Sequence, residues 1–110
     1  MLRRLYLTCA LMLVLLVLAS APALAIPTTY YGLGDGYAGK ITASGEVMDP
    51  TLYKAAHPTL PMGTVVTVCW DGCVDVTIND VGATLDLSPA AASAIGMMDE
   101  GIVDAHMTVH

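Results

Sequence analysis

The sequence has few basic residues. It contains 110 residues, of which four are Lys or Arg and ten are Asp or Glu, and its formal net charge is −6. Because Arg3 and Arg4 lie near the N-terminus, residues 26–110 carry only Lys40 and Lys54 against all ten acidic residues, a formal charge of −8. Nucleic-acid binding requires clustered Lys and Arg that neutralise phosphates. This class of function is therefore excluded.

Cysteine is also scarce. The chain has three cysteines, and Cys9 lies in the N-terminal apolar segment, which leaves Cys69 and Cys73. Structural zinc sites use four ligands, and redox enzymes commonly use a C-x-x-C motif; the sequence has neither. The glycine-rich residues 32–36 lack the following helix pattern and the Lys-Ser/Thr pair of a phosphate-binding loop. We therefore expect no metal and no cofactor.

A long hydrophobic run occurs only at the N-terminus. Basic residues precede it, and residues 23–25 read ALA, so residues 1–25 are predicted to be a signal peptide that is cleaved before Ile26. The alternative is a retained membrane anchor, but residues 5–18 are fewer than the roughly 20 that a spanning helix needs. Cys9 lies at the start of the run, which is a poor position for lipid attachment. We expect an exported protein of the periplasm, cell envelope or medium, with no stable membrane anchor after cleavage.

Export also affects the expected oxidation state of Cys69 and Cys73. They are separated by the residues WDG, and a three-residue loop that ends in Gly suits a β-hairpin. Facing residues in a hairpin have Cα atoms about 4.5–5.5 Å apart, which is within disulfide reach. Exported proteins also meet oxidising conditions. The sequence therefore predicts a structural Cys69–Cys73 disulfide.

Residues 26–110 suit one small domain of short strands. We expect the first strand to start at Tyr30 and Tyr31. The β-branched residues 64–69 and the alternating residues 74–78 form a predicted hairpin, and residues 103–109 form a predicted last strand. These patterns indicate an all-β domain, and periodicity alone leaves a barrel and a sandwich open.

One helix is predicted near the C-terminus. Ser88 has the properties of an N-cap and Pro89 suits the first helical position. Alanines follow, and Gly96 is placed to end the helix. The domain is therefore all-β with a small α element.

Four short motifs carry the candidate chemistry. They read TASGE at residues 42–46, AAH at 55–57, IND at 78–80 and LDLS at 85–88. Their order and spacing closely resemble the rare lipoprotein A (RlpA) family, whose barrel domain cleaves bacterial cell-wall glycan. The resemblance covers nearly all of residues 29–109. It implies a six-stranded double-psi β-barrel with one short helix, a domain that occupies residues 26–110.

The resemblance also implies roles for individual residues. It assigns catalysis to Glu46, His57 and Asp80, with the two carboxyls as the acid/base groups and the imidazole orienting one of them or the sugar. Asp86 resembles an Asp of related barrels of the expansin and barwin type, and is assigned with Tyr31 and Ser44 to substrate binding.

Each assigned residue also has a structural alternative. Glu46 alone would be a solvated surface charge and His57 a hydrogen-bonding loop residue. Asp80 would be a turn former, and Asp86 would steady the N-terminus of the helix. Several aromatic residues could stack on sugar rings or pack at the core or rim, namely Tyr30, Tyr31, Tyr37, Tyr53 and Trp70.

The sequence departs from the family after Asp80. Relatives usually continue with Arg-Gly-Pro-Phe through a longer loop, whereas this chain continues with residues 81–84, VGAT. An Arg beside a carboxylate holds it ionised, so its absence changes the surroundings of Asp80. The shorter loop also lowers one wall of a substrate groove.

The resemblance implies an exported lytic transglycosylase-like enzyme that acts on peptidoglycan glycan strands. Such an enzyme breaks the glycosidic bond without water, as a muramic-acid hydroxyl closes an anhydro ring. The alternative is a non-catalytic wall-binding or wall-loosening module of the expansin or barwin type. Peptidoglycan glycan is the expected partner in both cases, and we expect a monomer.

Overall fold

Six β-strands close into a barrel. The computed structural model describes residues 24–110. The strands are β1 (Leu24–Tyr30), β2 (Lys54–Ala56), β3 (Val65–Cys69), β4 (Cys73–Asp80), β5 (Leu85–Leu87) and β6 (Ile102–Val109). Around the barrel their order is β1-β5-β2-β4-β3-β6. The prediction of an all-β barrel is therefore confirmed, and the sandwich is excluded.

The barrel contains both parallel and antiparallel strand pairs, an arrangement that local patterns do not reveal. The pairs β1/β5 and β2/β4 are parallel, and the other four neighbouring pairs are antiparallel. Parallel neighbours require crossover connections, so segments that are distant in sequence become adjacent in the barrel. This topology is that of the predicted six-stranded double-psi β-barrel.

The expected start of the first strand was wrong. Strand β1 ends at Tyr30 instead of starting there, because Leu24 to Thr29 pair with β6 along one edge. The predicted signal peptide falls mostly on residues 1–23, which lie outside the described residues. Its last two positions, Leu24 and Ala25, begin β1.

The predicted hairpin joins β3 and β4. Cys69 faces Cys73 across the ladder, and their sulfur atoms form a disulfide with Cα atoms 4.1 Å apart. The predicted disulfide is confirmed. The loop packs on a neighbouring element, because the Asp71 N–H donates to the carbonyl of Ile95, 3.1 Å away.

The predicted helix is also confirmed, as α1 (Pro89–Ile95). The Ser88 side chain accepts a hydrogen bond from the Ala91 N–H, and Gly96 ends the helix with a φ of +80°, which favours glycine. Buried residues of α1 pack on the barrel. The core consists mainly of aliphatic side chains, among them Val66, Val68, Val76, Ile78, Leu85, Leu87, Ile95 and Met97. Within residues 24–110, no helix has both the length and the apolar character needed to cross a bilayer.

Candidate active site

Strand β2 brings two carboxylates together. Ala56, its last residue, pairs with Asp80 of β4 on one side and with Asp86 of β5 on the other. The register on the β4 side shifts between Ala55 and Ala56, as at a β-bulge, a feature that re-aims side chains at strand ends. Asp80 and Asp86 thus become near neighbours through a strand that contains neither.

The two carboxylates line one cavity. Its volume is about 180 Å³. The lining residues are Tyr31, Tyr37, Ala56, Asp80, Val81, Gly82 and Asp86. Carboxylates that share an open cavity can exchange protons with a bound sugar. This cavity is therefore the candidate active site.

Three donors converge on Asp80. Its Oδ1 accepts hydrogen bonds from the backbone N–H groups of Ala43 (3.0 Å) and Val81 (2.9 Å). Its Oδ2 accepts a hydrogen bond from the hydroxyl of Tyr31 at 3.2 Å. These donors are neutral, and they occupy both oxygens of the Asp80 carboxylate. Hydrogen bonds thus orient Asp80 in place of an ion pair.

Tyr31 remains a donor over the whole physiological range. Burial, and then the negative charge of Asp80 together with their hydrogen bond, raise the pKa of the Tyr31 hydroxyl well above its usual range. A phenol that keeps its proton holds Asp80 in place. Tyr31 was predicted to bind substrate, and its hydroxyl contacts a candidate catalytic carboxylate.

Asp86 has a different environment from Asp80. Burial raises the pKa of the Asp86 carboxyl, and the charges of Asp35 and Asp80 act in the same direction. The hydroxyl of Thr29 donates to its Oδ1 at 2.8 Å and partly offsets this effect. A carboxyl with a raised pKa keeps its proton to higher pH, which suits a general acid.

The TASGE segment forms a tight turn that docks beside Asp80. The Thr42 N–H donates to the Glu46 carbonyl (2.8 Å), and Gly45 has a φ of +91° that few other residues adopt. The N–H of Ser44 donates to the carbonyl of Asn79 at 3.0 Å. This contact, with that from Ala43 to Asp80, fixes the turn to the end of β4.

Glu46 does not line the cavity. Its side chain is 52% exposed, and its Oε2 lies 3.6 Å from Nζ of Lys54. The Ser44 hydroxyl donates to its Oε1 at 3.4 Å. Glu46 and Ser44 therefore lie on the turn beside the cavity, with the carboxylate ion-paired to β2.

The imidazole of His57 has its own hydrogen bonds. Its Nδ1 accepts from the backbone N–H groups of Thr59 and Leu60, both at 3.1 Å. Burial lowers the pKa of His57, which favours the neutral ring. A neutral ring whose Nδ1 accepts carries its proton on Nε2, so His57 is arranged to donate from Nε2. Its backbone N–H bonds to the Asp80 carbonyl at 3.1 Å.

The structure therefore divides the predicted site residues into two groups. Tyr31, Asp80 and Asp86 line the cavity, whereas Ser44, Glu46 and His57 belong to segments that contact Asp80 and do not line the cavity. Sequence reasoning assigned neither Tyr37 nor Gly82 to the site. Gly82 carries no chemical group, and Tyr37 was named only among the aromatic residues that could stack on sugar rings or pack at the core or rim. Residues 24–110 contain no group of three or more His, Cys, Asp or Glu placed to hold a metal ion.

Comparison with known proteins identifies the family. A family model described as "Lytic transglycolase" matches residues 24–107. The chain belongs to this family. The chain is 42% identical over 89 residues to the probable endolytic peptidoglycan transglycosylase RlpA of Nostoc sp., an alignment that covers 74% of this chain and 24% of the relative.

Two further relatives carry the same name. The Treponema pallidum protein, a probable endolytic peptidoglycan transglycosylase RlpA, is 42% identical over 90 residues, which is 74% of this chain and 27% of the relative. The endolytic peptidoglycan transglycosylase RlpA of Campylobacter jejuni is 37% identical over 84 residues, 69% of this chain and 30% of the relative. The chain thus spans roughly a quarter of the length of these curated relatives. The predicted RlpA resemblance is confirmed.

A solved structure supports the fold. The Streptomyces papain inhibitor superposes with a TM-score of 0.60 at 24% identity, covering 81% of this chain and 94% of the inhibitor. At this identity the likeness concerns the double-psi barrel alone.

Proposed function

We propose that the protein is an exported enzyme that cleaves peptidoglycan glycan strands endolytically and without water, leaving anhydro-muramic ends. The observation that carries this proposal is the pairing of Asp80 and Asp86 in one cavity, with different hydrogen-bond environments. Family membership and the printed names of the relatives support the substrate class.

The reaction needs one proton donor and one proton acceptor. The bond between the anomeric carbon of muramic acid and the leaving oxygen breaks, and that oxygen takes a proton. A hydroxyl of the same sugar attacks the anomeric carbon and loses its proton, so the two transfers balance without water. One carboxyl can perform both transfers in sequence, or two can share them.

The environments of the carboxyls suggest how the roles divide. Asp86 keeps its proton to higher pH and is suited to protonate the leaving oxygen. Asp80, oriented by three donors, is suited to accept the hydroxyl proton and to stabilise positive charge at the anomeric carbon. In this assignment Asp86 takes the acid/base role that the resemblance gave to Glu46. The reason is that Glu46 does not line the cavity and is paired with Lys54.

His57 and the TASGE turn lie at the edge of the proposed site and have supporting roles. His57 offers its Nε2–H as a donor, since Nδ1 is occupied by two backbone amides. Ser44 and Glu46 belong to the turn that supplies the Ala43 N–H to Asp80. In this proposal His57 orients the sugar, and the turn positions Asp80.

The test is digestion of denuded peptidoglycan with mass-spectrometric counting of anhydro-muramic ends. Asp80→Asn and Asp86→Asn should each lower cleavage by roughly 10² or more, the usual worth of a positioned acid or base. Asp75→Asn, on the same strand but outside the cavity, is the matched control and should cleave normally. Glu46→Gln separates the two assignments: a loss as large as that of Asp86→Asn would return the acid/base role to Glu46.

A wall-binding module without catalysis is the second candidate. The neutral hydrogen-bond donors on Asp80 and the short connection between β4 and β5 favour it, because both differ from the pattern that the RlpA resemblance implies. Wild-type protein that binds denuded glycan and releases no anhydro ends at any pH would support this candidate and contradict the enzyme.

A further inference from the structure

The glycine-rich loop between β1 and the TASGE turn has a defined conformation. The carboxylate of Asp35 accepts hydrogen bonds from the N–H groups of Gly32 (2.8 Å) and Tyr37 (3.1 Å). The Lys40 N–H donates to the Tyr37 carbonyl at 3.0 Å, and the Gly39 N–H donates to the Met48 carbonyl at 2.9 Å. Backbone contacts therefore hold Tyr37 on both sides.

This conformation places an aromatic ring at the edge of the cavity. The ring of Tyr37 meets that of Tyr31 edge to face, with centroids 5.8 Å apart and planes at 78°. Aromatic pairs prefer this geometry. Tyr37 nevertheless remains 58% exposed, and it lines the same cavity as Asp80 and Asp86. The ring is thus positioned by contacts on one side and open to solvent on the other.

An exposed aromatic ring beside two carboxylates is complementary to the surface of a sugar. A pyranose ring presents C–H groups on its faces and hydroxyls at its edge, so an open aromatic ring can contact a face while carboxylates accept from hydroxyls. Other exposed aromatic residues, such as Tyr53 and Trp70, do not line the cavity. In the described part of the chain, Tyr37 is the one aromatic residue whose ring is exposed, held in place, and in the same cavity as the two carboxylates.

We propose that Tyr37 is the stacking platform of this site and binds one sugar ring of the glycan next to the bond that is cleaved. The inference rests on the proposed function, since it takes the substrate to be peptidoglycan glycan. The glycine-rich loop then forms a wall of the groove, where the short loop after Asp80 contributes little more than the exposed Val81. The interaction is made through the ring face, and the Tyr37 hydroxyl is not required.

Binding is measured first, in the Asp80→Asn background so that the strands are not cut. The probe is soluble glycan strands freed from their peptides, titrated by calorimetry. Tyr37→Ala should weaken binding about 5- to 10-fold, the range expected for one aromatic contact. Tyr37→Phe should bind within about twofold of the parent because it keeps the ring. Tyr53→Ala removes an exposed tyrosine outside the cavity and should also leave affinity unchanged.

Each outcome has a defined meaning. Unchanged binding by Tyr37→Ala, or an equal loss in Tyr37→Phe, overturns the stacking platform while leaving the proposed function intact. A parent that binds no glycan overturns both. In the otherwise unaltered protein, Tyr37→Ala should raise KM and leave kcat unchanged. A loss confined to kcat would mean that Tyr37 acts through Tyr31 on Asp80, which contradicts the proposal.

Discussion

The two ends of strand β4 are held in different ways. At its start, Cys73 is bonded to Cys69, and the intervening loop packs against the end of α1. At its other end, Asp80 is held by three hydrogen bonds from three separate segments. The first end is secured by a covalent bond and backbone packing. The second end is secured by contacts to a side chain that lines the cavity and that, in the proposed function, meets the substrate.

The difference indicates that one end of β4 contributes mainly to stability and that the other end carries the proposed chemistry. Groups at the disulfide end are joined by a covalent bond and by backbone hydrogen bonds, and the exposed Asp71 in this loop does not line the cavity. Groups at the cavity end orient Asp80 and Asp86 without covering them. Substitutions at the first end should therefore change the free energy of unfolding, and substitutions at the second should change cleavage or binding.

Gly72→Ala should give the largest loss of stability. A Cβ at Gly72 would lie 2.6 Å from the carbonyl oxygen of Ala94, a backbone atom of α1 that cannot move aside without shifting the helix. We expect the free energy of unfolding to fall by about 1–3 kcal/mol, measured by urea denaturation. Gly82→Ala is the matched substitution at the cavity end, where the nearest atom is the Ala56 side chain at 3.1 Å.

Gly82→Ala should lower the free energy of unfolding less than Gly72→Ala does. It should also reduce glycan binding, because the added methyl group enters the cavity wall. Equal losses of stability from both alanines would contradict the division between the two ends.

Removal of the disulfide should have the next largest effect. The Cys69→Ser/Cys73→Ser double variant should lose about 2 kcal/mol of stability, since the loop that the bridge closes is short. Cleavage per folded molecule should be unchanged. Dithiothreitol should lower the Tm of the wild type and leave that of the double variant unaffected. Loss of cleavage at unchanged stability would instead show that the disulfide end of β4 contributes to activity.

His57 allows its two nitrogen atoms to be tested separately. His57→Ala removes the acceptor for the Thr59 and Leu60 amides and should cost about 1 kcal/mol of stability. His57→Asn offers an oxygen acceptor to the same amides and should retain most of that stability. Both variants should lose cleavage, because both lack Nε2–H. An asparagine variant that cleaves normally would remove His57 from the proposed site.

The smallest effect should be the pH dependence that Asp86 contributes to stability. The pKa of Asp86 is raised in the folded protein, so the folded state binds more protons than the unfolded state between the ordinary and the raised values. Stability from this group is therefore present at low pH and lost as the pH rises through that window. Asp86→Asn keeps an acceptor for Thr29 and cannot ionise.

The variant should therefore gain stability relative to the wild type as the pH increases, by less than about 1 kcal/mol because the site is half exposed to solvent. Thermal unfolding across the acid range measures the difference. A variant that instead loses stability relative to the wild type as the pH rises would show that the ionised form of Asp86 stabilises the folded protein.

Much of the fold could be predicted because the signals are local. The N-cap, proline and terminal glycine of α1 lie within one short segment, and each acts through backbone groups a few residues away. The hairpin and its disulfide depend on a five-residue segment, residues 69–73. The start of β1 was mispredicted because its partner, β6, is at the far end of the chain.

The site was predicted less completely than the fold. Motif resemblance identified Asp80 and Asp86, yet their proximity follows from Ala56, which pairs with both. The exclusion of Glu46 from the cavity follows from its ion pair with Lys54 and the docking of its turn. Tyr37 has no motif of its own, and its position depends on Asp35 and on the ring of Tyr31.

By itself, the sequence determined the helix limits, the disulfide hairpin, the strand-rich character and the family of this protein. These properties depend on backbone preferences, side-chain alternation and short motifs, all of which act between residues close along the chain. The tertiary structure alone decided which carboxyls share a cavity and which aromatic ring lies beside them. The physical reason is that parallel pairing in the barrel joins segments far apart in sequence, and only that pairing sets the distances between their side chains.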